Sequence, residues 1–156
     1  MSNLSRKIWI LAGRSAYKVV EPGVKLVVRN SRRSRILLVF ENEYLVVKHW
    51  LGDGAWMLPG GGQHRHEEPL AGARRELNEE LGISPPPSAF AHAGRYESND
   101  RGFSFSYDLY IVRLTERPVL RLQRIEILSA AWFDRTALLP GPATPVLAVA
   151  LDHWSQ

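Results

Sequence analysis

Gly61 to Ile83 reads GGQHRHEEPLAGARRELNEELGI, and the spacing within it decides the fold. Glu67 follows Gly61 after five residues, Arg75-Glu76-Leu77 after seven more, and Glu79-Glu80 and Gly82-Ile83 after single-residue gaps. The second half predicts a helix. Pro69 suits a first helical position, and Glu67 and Glu68 before it favour the positive helix N-terminus. Gly82 suits a left-handed terminating residue, and Ser84-Pro85-Pro86-Pro87 cannot continue a helix. A helix over Pro69 to Leu81 would be about 20 Å long.

At about 100° per residue, Leu70, Ala73, Leu77 and Leu81 share the side that buries. Glu76, Glu79 and Glu80 gather on a neighbouring face, because residues three and four apart are neighbours. Gly72, one turn before Glu76, leaves room for something bulky. Clustered carboxylates repel one another and call for a cation. With hard oxygen donors and no cysteine, that cation is Mg²⁺ or Mn²⁺ rather than zinc. The Gly60-Gly61-Gly62 run lets backbone approach the same ion or phosphate oxygens. Taken alone, an acidic helix face is most often only a solvated surface; the complete spacing turns the reading toward a metal site.

All nine specified positions of that spacing are filled, which chance would produce about once in ten million chains of this length. The pattern resembles the box of the Nudix hydrolases. The resemblance implies an α/β fold, an α/β/α sandwich with a mixed sheet, over about Gly23 to Trp154. It implies Mg²⁺-dependent hydrolysis of a diphosphate linkage, with metal held by Glu76, Glu79, Glu80 and the Gly60 carbonyl. Glu67 and Arg75 would brace the loop against the helix, Arg75 pairing with Glu67 or Glu79. For the general base, Glu79 and Glu126 are the candidates, since Ile125–Phe133 resembles the Nudix region where a Glu precedes a Trp-containing strand. Lys48 ends a strand where related proteins carry a phosphate-binding cation. Trp50 is open to two readings, a stacking platform for a nucleobase or a buried edge tryptophan. Family substrates range over nucleoside triphosphates, nucleotide sugars, ADP-ribose, dinucleoside polyphosphates and capped RNA, and no second motif chooses among them. Two other functions stay open: a pyrophosphohydrolase of RNA 5′ ends, and a non-catalytic nucleotide- or RNA-binding module. A module of that kind usually loses box carboxylates, and this chain keeps them all.

The chain has 156 residues, enough for one domain with a real core. It divides into an N-terminal helical extension, 1–21, and the main domain, 22–156. No cysteine is present, which fits a reducing cytoplasm. The apolar run Ile8–Gly13 is too short for a signal peptide, and no stretch is long enough to span a membrane. Net charge is +4, and the segment 60–83, with five Glu against three Arg, carries −2 of it. The remainder is therefore +6, which suits an anionic substrate such as a polyphosphate, or RNA.

Elsewhere, an amphipathic helix is expected up to about Val20, with Ile8, Leu11, Ala12 and Val19 on one side and a break at Pro22-Gly23. It could pack on the sheet, pair with a second subunit in a homodimer, or touch a membrane surface. Strands are expected over Gly23–Arg29, Ile36–Phe40, Tyr44–Trp50, Trp56–Leu58, Ala89–Tyr96, Phe103–Arg113 and Ala130–Asp134, with a closing helix over Thr144–Trp154. Asn30–Arg33 is expected to turn. The cluster Arg29, Arg32, Arg33 and Arg35 then becomes a solvated hairpin tip, with an RNA or phosphate patch as the alternative, weakened because the aromatic interleaving of single-strand binding is missing. His64 and His66, in the box loop, are expected to be solvated.

Overall fold

The structure, a computed structural model, describes residues 11–13, 15–17, 19–23, 29–51, 53–100 and 103–154. The expected strand over Gly23–Arg29 falls almost wholly outside them. Strands β1 (Ser31–Phe40), β2 (Glu43–His49), β3 (Phe90–Asp100), β4 (Phe103–Leu114) and β5 (Ile127–Asp134) form one sheet ordered β3-β4-β1-β2-β5. β1 runs parallel to β4 and every other pairing is antiparallel, so the sheet is mixed.

Helix α1 (Pro69–Leu81) covers one face and α2 (Pro145–Trp154) the other. Period-two alternation assigns the strand residues to these faces. Ile36, Leu38, Leu45, Val47, Tyr110 and Val112 pack with Ala73, Leu77 and Leu81 of α1. Leu37, Val39, Tyr44, Val46, Tyr107 and Leu109 pack with Val146, Leu147, Ala150 and Trp154 of α2. This is the α/β/α sandwich. Each fully buried Leu in these layers contributes about 2–3 kcal/mol through removal of apolar area from water.

α1 has the expected bounds. Gly82, at φ 68°, ends it in the left-handed conformation and donates its N–H back to the Asn78 carbonyl. Three expectations need correction. Ser31–Arg33 is strand rather than turn, because β1 pairs with β4 over its full length from Ser31–Phe105 to Phe40–Leu114. The turn after β3 is also shorter than expected, since β3 holds its register with β4 out to Asp100. The N-terminal helical residues continue through Pro22 and Gly23 rather than breaking there. Leu11 and Val19 on that segment are exposed, and Gly13 is buried.

One irregularity positions everything that follows. β1 and β2 pair only near their connecting turn, at Val39–Tyr44 and Phe40–Glu43. Beyond it they splay apart, and the segment leading into α1 enters the gap. Ile36 N–H donates to the Pro59 carbonyl and Ser34 N–H to the Gly61 carbonyl on one side. Val47 and Met57 exchange backbone bonds on the other. The glycine loop is thus backbone of the sheet, with one face toward α1 and one toward α2.

Candidate active site

Gly60 joins the two faces. Its N–H donates to Glu80 Oε2 at 2.8 Å on the α1 side, and its carbonyl accepts from Arg35 Nη1 on the α2 side. Its φ of 117° is one a side chain rarely tolerates, and a Cβ there would lie 2.4 Å from the Ser34 carbonyl oxygen. Gly61 is constrained differently, since its Cβ would lie 2.6 Å from a carboxylate oxygen of Glu76. The Glu76 carboxylate therefore rests directly against the glycine backbone.

The three helix carboxylates differ sharply. Glu80 is buried, and its carboxyl is pushed up to about 7 by burial first and by Glu76 and Glu126 after it, against the Gly60 N–H and Arg35. Glu79 is half exposed and accepts from Arg75 Nη1 at 2.9 Å. Glu76 lies between, accepting from the same Arg75 nitrogen at 2.8 Å. Glu126, exposed at the start of β5, is held above the usual carboxylate range by partial burial and then by Glu76 and Glu79. The charge of Glu76 thus acts on both Glu80 and Glu126, and the carboxylates share one region.

Arg75 is the hub of the loop. Besides Glu76 and Glu79 it reaches Glu67 through Nε at 2.9 Å and Nη2 at 3.0 Å, and the Gly62 carbonyl at 2.9 Å. Glu67 also accepts the His64 N–H, and its bonds to Arg75 hold its carboxyl down at about 2. The space beside Gly72 is filled by Glu67, whose Oε2 would lie 3.0 Å from a Cβ there.

A NUDIX domain profile matches residues 21–154. The chain belongs to the Nudix family. Solved structures agree in fold. A MutT NUDIX hydrolase from Burkholderia pseudomallei superposes with TM-score 0.71 at 22% identity, covering 80% of this chain and 98% of that one. The NUDIX domain of Shewanella oneidensis NrtR, complexed with ADP ribose, gives TM-score 0.69 at 16% identity, covering 81% and 86%. A C. elegans Ap4A hydrolase gives 0.67 at 15%, covering 80% and 95%. No protein with a curated description matches the chain significantly. As a Nudix hydrolase it acts on phosphorus-containing acid anhydrides, and hydrolases of this family generally use a divalent metal.

Among the described residues, no three His, Asp or Glu side chains stand close enough to grip one ion unaided. The donor set nevertheless fits a hard cation in kind. Burial and the charge of Glu76 raise the proton affinity of both Glu80 and Glu126, and backbone lies against Glu76 with no side chain between. Arg75 neutralises Glu76 and Glu79 in this arrangement, so a cation there competes with its guanidinium.

The two substrate-binding candidates are placed differently, Lys48 away from the carboxylates and Trp50 beside the backbone of Glu126. Lys48 points to the α2 face, its Nζ 4.3 Å from the centre of the Trp56 ring. The backbone of Trp50 is tied to β5 by its N–H to the Glu126 carbonyl, at 2.8 Å. Its indole lies against the N-terminal helix, where a Cβ on Gly13 would come within 2.8 Å of Nε1.

The Nudix box could not disclose three further groups. Arg33 and Arg35, expected in a solvated tip, are largely buried, because β4 and the inserted loop flank that end of β1. His49 Nε2 is 3.4 Å from Glu80 Oε1, but burial, Arg35 and Arg33 hold its imidazole down at about 4. It is therefore a neutral neighbour at pH 7 rather than an ion-pair partner. Asp108, buried on β4, accepts from Arg95, pairs with His92 at 3.0 Å and is reached by Gln63 of the box loop at 3.4 Å. The sequence showed Asp108 only as a polar step in an alternating strand.

Proposed function

We propose that this Nudix protein hydrolyses the diphosphate linkage of a nucleoside diphosphate joined to a second group, with Mg²⁺ as its metal. The observation that carries the reading is that Glu76 and Glu80 both lie against the glycine backbone threaded between β1 and β2, with the charge of Glu126 close enough to act on Glu80. Carboxylates that raise one another's proton affinity are in tension until a cation joins them. Glu76, Glu79 and Glu80 are the groups that would hold it; the Gly60 carbonyl, expected among them, instead accepts from Arg35 on the other face. Once bound, Mg²⁺ would offset the charge of the diphosphate and bring the pKa of a water toward neutrality.

The remaining chemistry belongs to the chain. Glu126 is exposed and Glu79 half exposed, so both are placed to take a proton from an attacking water; Glu80 is buried and already committed to the Gly60 N–H. Partial burial, with the charges of Glu76 and Glu79, holds Glu126 above the usual carboxylate range, which favours it as the base. Glu67 and Arg75 hold the loop at a fixed distance from α1. Lys48 and Trp50 belong to substrate binding in this reading. A nucleotide substrate is supported by the fold neighbours, one an Ap4A hydrolase and one a domain holding ADP ribose.

The Glu79→Gln, Glu80→Gln double variant tests the assignment. It should keep the wild-type fold by circular dichroism and lose Mg²⁺-dependent release of phosphate-containing products from a panel of nucleotides. Wild-type turnover by the double variant would show that these carboxylates are not the metal site.

A further inference from the structure

On the α2 face, across the Gly60 peptide from the carboxylates, two arginines lie side by side. Arg33 and Arg35 are two residues apart on β1 and so point the same way. Both guanidiniums lie over one ring, with Cζ 5.6 and 5.7 Å from the centre of Phe105. Among the described residues neither forms an ion pair. Arg35 is bonded to the Gly60 carbonyl, and Arg33 Nε is buried with no hydrogen-bond partner.

This arrangement is costly as it stands. A buried cation without a hydrogen-bonded counter-charge loses hydration that nothing replaces, and two adjacent cations repel. Glu76 and Glu80 act on the pair across space without bonding to it, and burial outweighs them. A hydrophobic residue at either position would pack against Phe105 more cheaply. The guanidinium fork matches an oxyanion, since its donors meet two oxygens of a phosphate at once.

We propose that Arg33 and Arg35, backed by Phe105, form an oxyanion site that holds a phosphate group of the substrate. This deepens the proposed function and rests on it for the word substrate, but the anion site itself does not depend on catalysis. Arg35 is fixed to the loop and positions the pair, while Arg33, partly exposed and without an ion pair among the described residues, makes the contact. The site lies outside the box, where selection among diphosphates must be made.

Binding of inorganic pyrophosphate can be measured by titration calorimetry and phosphorus NMR on the full chain, with EDTA present. The wild type should bind. Arg33→Gln should weaken binding by roughly tenfold to a hundredfold, with a melting temperature equal to or above the wild type's. Arg33→Lys should fall between the two, because an ammonium keeps the charge and loses the fork. Arg32→Gln, one residue away on the exposed side of β1, should change binding less than twofold. No pyrophosphate binding by the wild type, wild-type binding by Arg33→Gln, or equal losses in the Arg32 and Arg33 variants would each overturn the proposal. If pyrophosphate binding follows Arg33 while no nucleotide is hydrolysed, the anion site stands and the proposed reaction falls.

Discussion

Box residues 61–83 and the arginine-rich stretch 29–35 are both dense in charge, and they meet at Gly60 from opposite sides of the sheet. On the box side the charges are arranged locally. Glu67, Arg75, Glu76 and Glu79 bond to one another within one loop and one helix. On the strand side they are arranged by distant chain. Arg33 and Arg35 are buried because β4 and the loop at Pro59–Gly62 flank them, partners far away in sequence. Charge on a helix face can be read from its spacing, whereas charge on a strand acquires meaning only when its neighbours are known.

The largest effect should come from breaking the point where the two sides meet. Gly60→Ala puts a Cβ 2.4 Å from the Ser34 carbonyl, at a φ of 117°, and backbone cannot swing aside as a side-chain tip can. The expected loss is about 3 kcal/mol or more, read as a lowered midpoint in urea unfolding. A wild-type midpoint would mean that the loop is not held in the sheet as described.

How much the sequence discloses follows the same division. α1 could be bounded from Pro69 and Gly82 because the signals that start and stop a helix are local. The mixed sheet between helices followed from the Nudix resemblance. The burial of Arg33 and Arg35 was illegible because Asn30–Arg33, polar and short, satisfies the local pattern of a turn. Only the ten-residue parallel pairing with β4 overrides it. Asp108 was hidden for a related reason. Its partners Gln63, His92 and Arg95 come from two other segments, and a single carboxylate in an alternating strand has the pattern of a solvated position. His49 next to Glu80 gives no signal at all in its own strand.

Gly61→Ala is the next test, smaller in stability and more telling in chemistry. The group in its way is the end of the Glu76 side chain rather than backbone, so the carboxylate can move and the fold can persist. Stability should change by about 1 kcal/mol or less, while turnover falls about tenfold because Glu76 is pushed from the glycine backbone. The pair of alanine variants thus separates the two sides, with Gly60 reported by unfolding and Gly61 by rate. A Gly61→Ala enzyme with full activity would remove Glu76's placement from the proposed chemistry.

The smallest effects are in pH dependence, where two glutamates of one box should act with opposite sign. Glu67 has its folded pKa lowered from 4.5 to about 2 by Arg75. Its contribution to stability is therefore present above pH 4.5 and is lost as pH falls through 2. Because the pair is near the surface, solvent screening limits this to about 1 kcal/mol. Glu80 has its folded pKa raised to about 7, chiefly by burial. Its stabilising effect is present below 4.5 and is lost as pH rises through 7, when a charge must be carried in the interior. In EDTA, Glu67→Gln should lie below the wild type by about 1 kcal/mol at neutral pH and converge with it as pH falls toward 2. Glu80→Gln should do the reverse, matching the wild type near pH 4 and exceeding it at pH 8, since glutamine can still accept the Gly60 N–H. Adding Mg²⁺ at pH 8 should close that gap by stabilising the wild type, and a gap insensitive to Mg²⁺ would separate Glu80 from the metal.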